Sequence, residues 1–293
     1  MTPASRPALA WFLLIILSLV WGSSFILMLL GLKGFDAFQL ALIRMSVAAV
    51  CMSPFAVRYS RQVTLKEALL LFIIGMTGNG IPAFLFALAE TQLPSAAVGI
   101  LNSMSPIFTL LVGYLFFQLR FPAMNVLGVW IGFMGAALLA LAGGGLHEGP
   151  ANLHYSLVVV AATICYGINV NLVKKYFPHR DPVLIASMAL TLVGVPSLVF
   201  LLALTDFTAR VSIPGNPAAL FYISILGAVG TALGVALFNK LLQISSLIFA
   251  TSVTYTIPIV ALLWGFFLRE ELTLGHGLGF AIILLGVWLA NRK

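Results

Sequence analysis

Ser95–Phe117 reads SAAVGILNSMSPIFTLLVGYLFF, and Ser246–Leu268 reads SLIFATSVTYTIPIVALLWGFFL. Both stretches are apolar throughout and long enough to cross a bilayer, which takes roughly 20 residues of helix. Each contains one proline, Pro106 and Pro258. A proline inside a helix cannot donate to the carbonyl four residues back. Those carbonyls belong to Asn102 and Thr254, both with polar side chains. The prolines stand 152 positions apart (106 to 258), close to half the chain. One bent helix is therefore expected twice, with polar groups gathered at each bend. In hydrocarbon such a bend survives only where protein or a wet cavity satisfies the freed groups.

The rest of the chain is equally apolar. Its 293 residues are 61% hydrophobic and 8% charged, with a mean hydropathy of +1.12. Soluble domains carry about 25% charged residues, so the chain is read as an all-α integral membrane protein. Ten spans are expected, near 9–32, 37–57, 67–89, 95–118, 124–142, 154–175, 182–204, 217–239, 246–268 and 275–290. Ala8–Leu32 is uncharged and longer than the roughly 7–15 residue core of a signal peptide, so it is read as the first span. The longest connections are Ala142–Leu153, with its Gly143-Gly144-Gly145 run, and Thr205–Asn216 with Pro214.

Charge sets the orientation. With the N-terminus in the cytoplasm, that side holds Arg6, Arg58, Arg61, Lys66, Arg120, Lys174, Lys175, Arg180, Lys240, Arg292 and Lys293. The other side holds Lys33, Arg210 and Arg269. Positive residues favour cytoplasmic loops, so both termini are expected there. The formal +7 charge is scattered over helix ends, which argues against a nucleic-acid partner. Cys51 and Cys165 stand alone in apolar segments and are read as packing residues.

The halves repeat. Trp21-Gly22 matches Tyr166-Gly167 at an offset of 145 (21 to 166). Gly75, Gly78, Pro106 and Gly113 match Gly227, Gly230, Pro258 and Gly265 at 152, and Gly135 matches Gly286 at 151. The longer Thr205–Asn216 connection absorbs the change. Five helices per half is odd, so the second half enters the membrane inverted. The repeats are placed at residues 1–146 and 147–293. Inverted repeats place a transporter's substrate near the midplane between halves.

Polar groups inside a membrane are functional candidates by default. Asn102, Ser103 and Ser105 surround the first proline; Thr251, Thr254, Tyr255 and Thr256 surround the second. The third span contains Gly75-Met76-Thr77-Gly78-Asn79-Gly80-Ile81-Pro82, too rich in glycine to stay regular. Tyr166 and Asn169 lie about one turn apart on one face. The substrate-binding candidates are Trp21, Asn79, Asn102, Ser103, Tyr166, Asn169, Thr254 and Tyr255, and the hinge candidates are Gly78, Pro82, Pro106 and Pro258. The alternative for the Ser, Thr and Asn residues is hydrogen bonding between helices. Trp21, Tyr166, Tyr255 and Trp264 would form an aromatic wall, suited to a hydrophobic or aromatic amino acid. Arg44, about two turns inside its helix, either snorkels or captures a substrate carboxylate.

The acidic residues all fall at or near segment ends, which favours facilitated export over a buried proton relay. Coupling through an end carboxylate such as Glu90 stays open. No H-E-x-x-H or G-x-S-x-G motif occurs, and His147, His154, His179 and His276 are not spaced as metal ligands. No enzyme, metal or cofactor is expected.

Trp21-Gly22-Ser23-Ser24-Phe25 resembles the W-G-[ST]-x-F element of EamA-type members of the drug/metabolite transporter superfamily. Ser95-Ala96-Ala97 with Pro106-Ile107-Phe108 resembles that family's fourth helix. Pro258 with Leu268-Arg269-Glu270 resembles its ninth, and Leu42-Ile43-Arg44 the arginine of its second. The sequence departs at Tyr166-Gly167-Ile168-Asn169 and at Gln118, where the second half has Glu270. The resemblance implies a bacterial inner-membrane exporter of small metabolites, commonly amino acids, working as a monomer or weak homodimer in the lipid bilayer. A proton-coupled drug or metabolite exporter and a lipid-linked precursor flippase are the alternatives.

Overall fold

The computed structural model describes residues 7–93, 95–142, 153–267 and 274–290. Among them the chain is all helix and turn. The expected Gly143–Gly145 linker, the 146/147 boundary, Leu268-Arg269-Glu270 and the Trp264 side chain lie outside the described residues.

Among the described residues, seven helical runs are long and apolar enough to cross a membrane: Pro7–Leu32, Ala37–Gln62, Leu65–Glu90, Ala97–Phe117, Leu153–Tyr176, Pro182–Leu204 and Asn216–Ile244. Three shorter apolar helices, Ala123–Leu138, Leu247–Val260 and Gly277–Ala290, stand where the fifth, ninth and tenth spans are expected.

Several runs are broken inside. The first divides at Ser23 into α1 (Pro7–Gly22) and α2 (Ser24–Leu32). After α3 (Ala37–Tyr59), the third run is α4 (Leu65–Gly75), a π segment Met76–Gly80, and α5 (Ile81–Glu90). The fourth divides at Ser103-Met104 into α6 (Ser95–Asn102) and α7 (Ser105–Phe117), followed by α8 (Ala123–Ala142). The second part holds α9 (Leu153–Tyr176), α10 (Pro182–Leu204) and the short α11 (Phe207–Val211). Next come α12 (Asn216–Ile225), a second π segment Leu226–Leu233, and α13 (Gly234–Ile244). The ninth run divides at Ser252 into α14 (Leu247–Thr251) and α15 (Val253–Phe267), and α16 (Leu274–Ala290) closes the chain.

The breaks have local causes. Ser23, Ser103 and Ser252 each turn the hydroxyl back onto a carbonyl of the preceding turn: Leu19, Gly99 and Phe249. Such bonds compete with helical pairing. The expected bends therefore shift. The breaks precede Pro106, which starts α7, and Pro258, which sits inside α15. Both proline-freed carbonyls are nonetheless satisfied. Ser105 Oγ donates to Asn102 O at 2.7 Å, and the Ser103 hydroxyl, shared with Gly99 O, reaches across to Thr254 O at 3.3 Å.

Between helices in lipid there is little hydrophobic driving force, so close packing over small residues carries association. α8 and α16 meet through Gly128, Gly132 and Gly135 against Gly286 and Gly279; a Cβ on Gly286 would stand 2.5 Å from Gly132 Cα. The expected small-residue contact at Gly128/Gly132 is thus present. α3 and α10 approach equally closely where Gly194 faces Met45 and Ala49.

The two ends are tied by polar clasps. At one face Thr64 and Glu67 form a capping box at the start of α4, Arg180 pairs with Glu67, and Tyr59 Oη donates to Asp181 at 2.9 Å. At the other, Asp36 caps α3, Arg210 pairs with Asp206 at 2.9 Å, and Gln39 Nε2 donates to Asp206 at 2.6 Å.

Candidate functional site

The breaks and π segments converge on a central cavity. Its polar lining includes Ser24, Arg44, Asn79, Asn102, Asn169, Asn239 and Thr254; its aromatic lining includes Trp21, Phe25, Phe86, Tyr166 and Phe238. That combination suits a small amphiphile with few anchoring polar groups.

The π segments shape two opposite walls. Where hydrogen bonding shifts from i→i+4 to i→i+5, one carbonyl is left without its helical donor. In the third run, Asn169 Nδ2 from α9 donates to Ile74 O at 2.7 Å. In the eighth, Trp21 Nε1 donates to Gly230 O at 2.9 Å. Glycine makes both approaches possible. A Cβ on Gly78 would overlap the Asn169 amide, one on Gly230 would stand 3.1 Å from Ser24 Oγ, and one on Gly234 would stand 2.8 Å from Trp21 Nε1. Gly78 and Gly230 differ by the repeat offset of 152, and Ser24 and Asn169 by 145 (24 to 169). Side chains paired by one sequence offset thus stand against glycines paired by the other.

The aromatic wall is built in pairs. Tyr166 stacks on Phe86, centroids 5.8 Å apart and planes 23° apart. Trp21 tilts against Phe238 at 5.3 Å.

Arg44 lines the cavity, held through Nε, which donates to Thr231 Oγ1 at 2.7 Å. Thr231 in turn donates to Leu226 O at 3.1 Å, so its hydroxyl both accepts and donates. No protein partner engages the terminal Nη groups among the described residues. A guanidinium fork held at one nitrogen presents the rest to a carboxylate.

Six of the eight substrate-binding candidates come together here: Trp21, Asn79, Asn102, Tyr166, Asn169 and Thr254. Two do not. Ser103 is fully buried and acts as a staple to Thr254 O. Tyr255 is also fully buried; its ring lies over Gly132 of α8 and its Oη donates to Val129 O at 2.8 Å. It packs α15 on α8 instead of facing solute. Of the hinge candidates, Gly78 lies in the π segment and on the cavity wall, and Pro82 and Pro106 open helices α5 and α7. Asn171 is buried with its amide on Thr109 O and Gly167 O, a packing role.

Sequence reasoning passed over Ser24, Phe86, Phe238 and Asn239. For Ser24 the signal was present, since the offset pairs it with Asn169. It also treated acids at segment ends as peripheral. Glu90 ends α5, yet it is 5% exposed.

A model of the EamA-like transporter family matches residues 8–141 and again residues 154–292. The chain belongs to the EamA-like transporter family. This EamA-like chain is 24% identical over 284 residues to an uncharacterized transporter of Archaeoglobus fulgidus, covering 97% of this chain and 99% of that one. It is 25% identical over 285 residues to a probable terminal-alkyne amino-acid exporter of Streptantibioticus cattleyicolor, covering 96% and 92%. It is 24% identical over 286 residues to the uncharacterized inner membrane transporter YedA of Escherichia coli K12, covering 94% and 84%. A solved crystal structure superposes with a TM-score of 0.73 over 96% of both chains at 16% identity, which shows a common fold. With its apolar helices, this EamA-like chain is a multi-pass protein of the bacterial inner membrane.

Proposed function

We propose that this chain is a secondary transporter that exports small metabolites, amino acids foremost, by alternating access. The central cavity would open to one side and then the other as two inverted five-helix halves, 1–146 and 147–293, rock about it. Ten spans and cytoplasmic termini complete this reading. The observation that carries it is the matched pair of walls, with Asn169 against Gly78 and Ser24 against Gly230. Equivalent parts from two halves facing one cavity are what a rocking carrier requires.

The lining favours a zwitterion with an apolar side chain. Arg44 would take the carboxylate, while Asn79, Asn102 and Asn239 would offer neutral acceptors to the ammonium. The stacked Tyr166–Phe86 pair and the Trp21–Phe238 pair would hold the side chain. One relative is named as a probable amino-acid exporter, which supports the class.

The test is flux in proteoliposomes. The full chain is reconstituted and offered a panel of radiolabelled neutral, aromatic and charged amino acids together with amines lacking a carboxylate. Saturable uptake of neutral or aromatic amino acids, with exchange for internal substrate, is the expected result. Absence of flux for the whole panel would sink the reading.

A further inference from the structure

Glu90 is a buried acid that the transport geometry alone leaves unused. It ends α5 at 5% exposure. Its Oε1 accepts from Ser95 Oγ at 3.2 Å, and its Oε2 has no hydrogen-bond partner among the described residues. A buried carboxylate with an unsatisfied oxygen is costly as an anion; as an acid it becomes a donor with less charge to solvate. One turn earlier on the same helix, Phe86 lines the cavity.

The elements around α5 supply very little to hold a charge. α3 brings Arg44, the cation whose field reaches Glu90. α9 brings two phenols, Tyr166 and Tyr155. α6 brings the Ser95 hydroxyl, and the neighbouring faces of α2 and the π segment Met76–Gly80 bring no ionisable side chain. One guanidinium therefore serves two anionic claimants, the Glu90 carboxylate and a carboxylate bound in the cavity.

We propose that Glu90 is a proton-binding site linked to carboxylate occupancy of Arg44. In the empty carrier Arg44 supports Glu90 as the anion. When a substrate carboxylate engages Arg44, that support is withdrawn and Glu90 takes a proton from cavity water. Solute and proton are then bound together and released together, so a solute leaving down its own gradient carries a proton out with it. By linkage, protonation of Glu90 tightens carboxylate binding by the same factor that binding favours protonation. The proposal rests on the transport reading for its Arg44 half and adds the coupling ion to it.

Two measurements on the full chain test it. The first uses L-leucine and L-phenylalanine as probes in proteoliposomes. An acid-outside pH gradient should drive inward accumulation in the wild type. Glu90→Gln, which imitates the protonated acid, should keep substrate exchange while losing gradient-driven accumulation roughly tenfold, within the usual span of a linkage effect. Accumulation indifferent to the gradient in the wild type, or unchanged in E90Q, overturns the coupling and leaves transport standing. The second needs no substrate. An infrared pH titration of purified protein should show one protonated-carboxyl band that E90Q removes and Glu90→Asp retains. If no titrating band is assignable to Glu90, the proposal fails whatever the flux result. If the band is present and no amino acid moves, the transport reading fails and the proton site is retained with a different solute to be sought.

Discussion

The Asn169 amide occupies the space that Gly78 leaves by having no side chain, and from there it donates to Ile74 O at 2.7 Å. Space, hydrogen bond and π segment are one device. Gly78→Ala should push the amide away, open the Ile74 carbonyl to the cavity and cost about 1–3 kcal/mol through overpacking. Asn169→Ala alone should cost about 1 kcal/mol for the lost bond. The double variant should be more stable than G78A, because the small side chain at 169 makes room. Thermal unfolding in detergent of the four proteins closes the cycle; purely additive effects would show that the two positions do not meet.

Tyr255 separates a packing role from a binding one. Tyr255→Phe removes the bond to the Val129 carbonyl in a fully buried place. Val129 O keeps its helical donor within α8, so the lost bond should lower stability by about 1 kcal/mol. The apparent affinity for any transported amino acid should stay as in the wild type. A changed KM with unchanged thermal stability would return Tyr255 to the cavity wall.

How much of this could be read beforehand depends on what a linear pattern records. Pro106 and Pro258 marked the freed carbonyls of Asn102 and Thr254, and the glycine run at 75–80 marked the π segment. Those readings are local in the chain. Faces were harder. Thr254 and Tyr255 are neighbours, yet one lines the cavity and the other packs on Gly132. α15 is apolar on every side, so no periodicity said which way each points. Glu90 was left open for a different reason. Distance from a segment end measures depth along one helix, and its burial comes from outside that helix, under Ser95 and against α9. The repeat held more than was drawn from it, since the offset that pairs Trp21 with Tyr166 also pairs Ser24 with Asn169.

The clasp at the start of α3 should make stability sensitive to acid. Arg210 beside Asp206 holds that carboxyl below the ordinary aspartate range, chiefly through a direct hydrogen bond. A group with a depressed folded pKa contributes stability that is present above its unfolded pKa, near 3.9. That contribution is lost as pH falls through the lower folded value. Melting temperature should therefore drop more steeply below about pH 4 in the wild type than in Asp206→Asn. Parallel acid profiles for the two proteins would show that the clasp contributes nothing. The pair is exposed, so salt should weaken the difference.

Arg44 decides which solutes the cavity can take. Its Nε is committed to Thr231, and the other polar side chains that line the cavity are neutral amides and hydroxyls among aromatic rings. A charge-assisted pair there is worth about 1.5–3 kcal/mol, or roughly tenfold to a hundredfold in affinity. Arg44→Ala should therefore weaken L-phenylalanine by that factor and leave phenethylamine, which lacks the carboxylate, nearly unchanged. Thr231 keeps its own bond to Leu226 O, so the wall behind Arg44 should survive the truncation. Arg44→Lys should recover only part of the loss, because a lysine keeps the charge without the fork that both holds Thr231 and grips two oxygens. Competition assays with the acid and the amine on all three proteins read the difference directly. Equal losses for both ligands would mean that Arg44 shapes the cavity without touching the carboxylate.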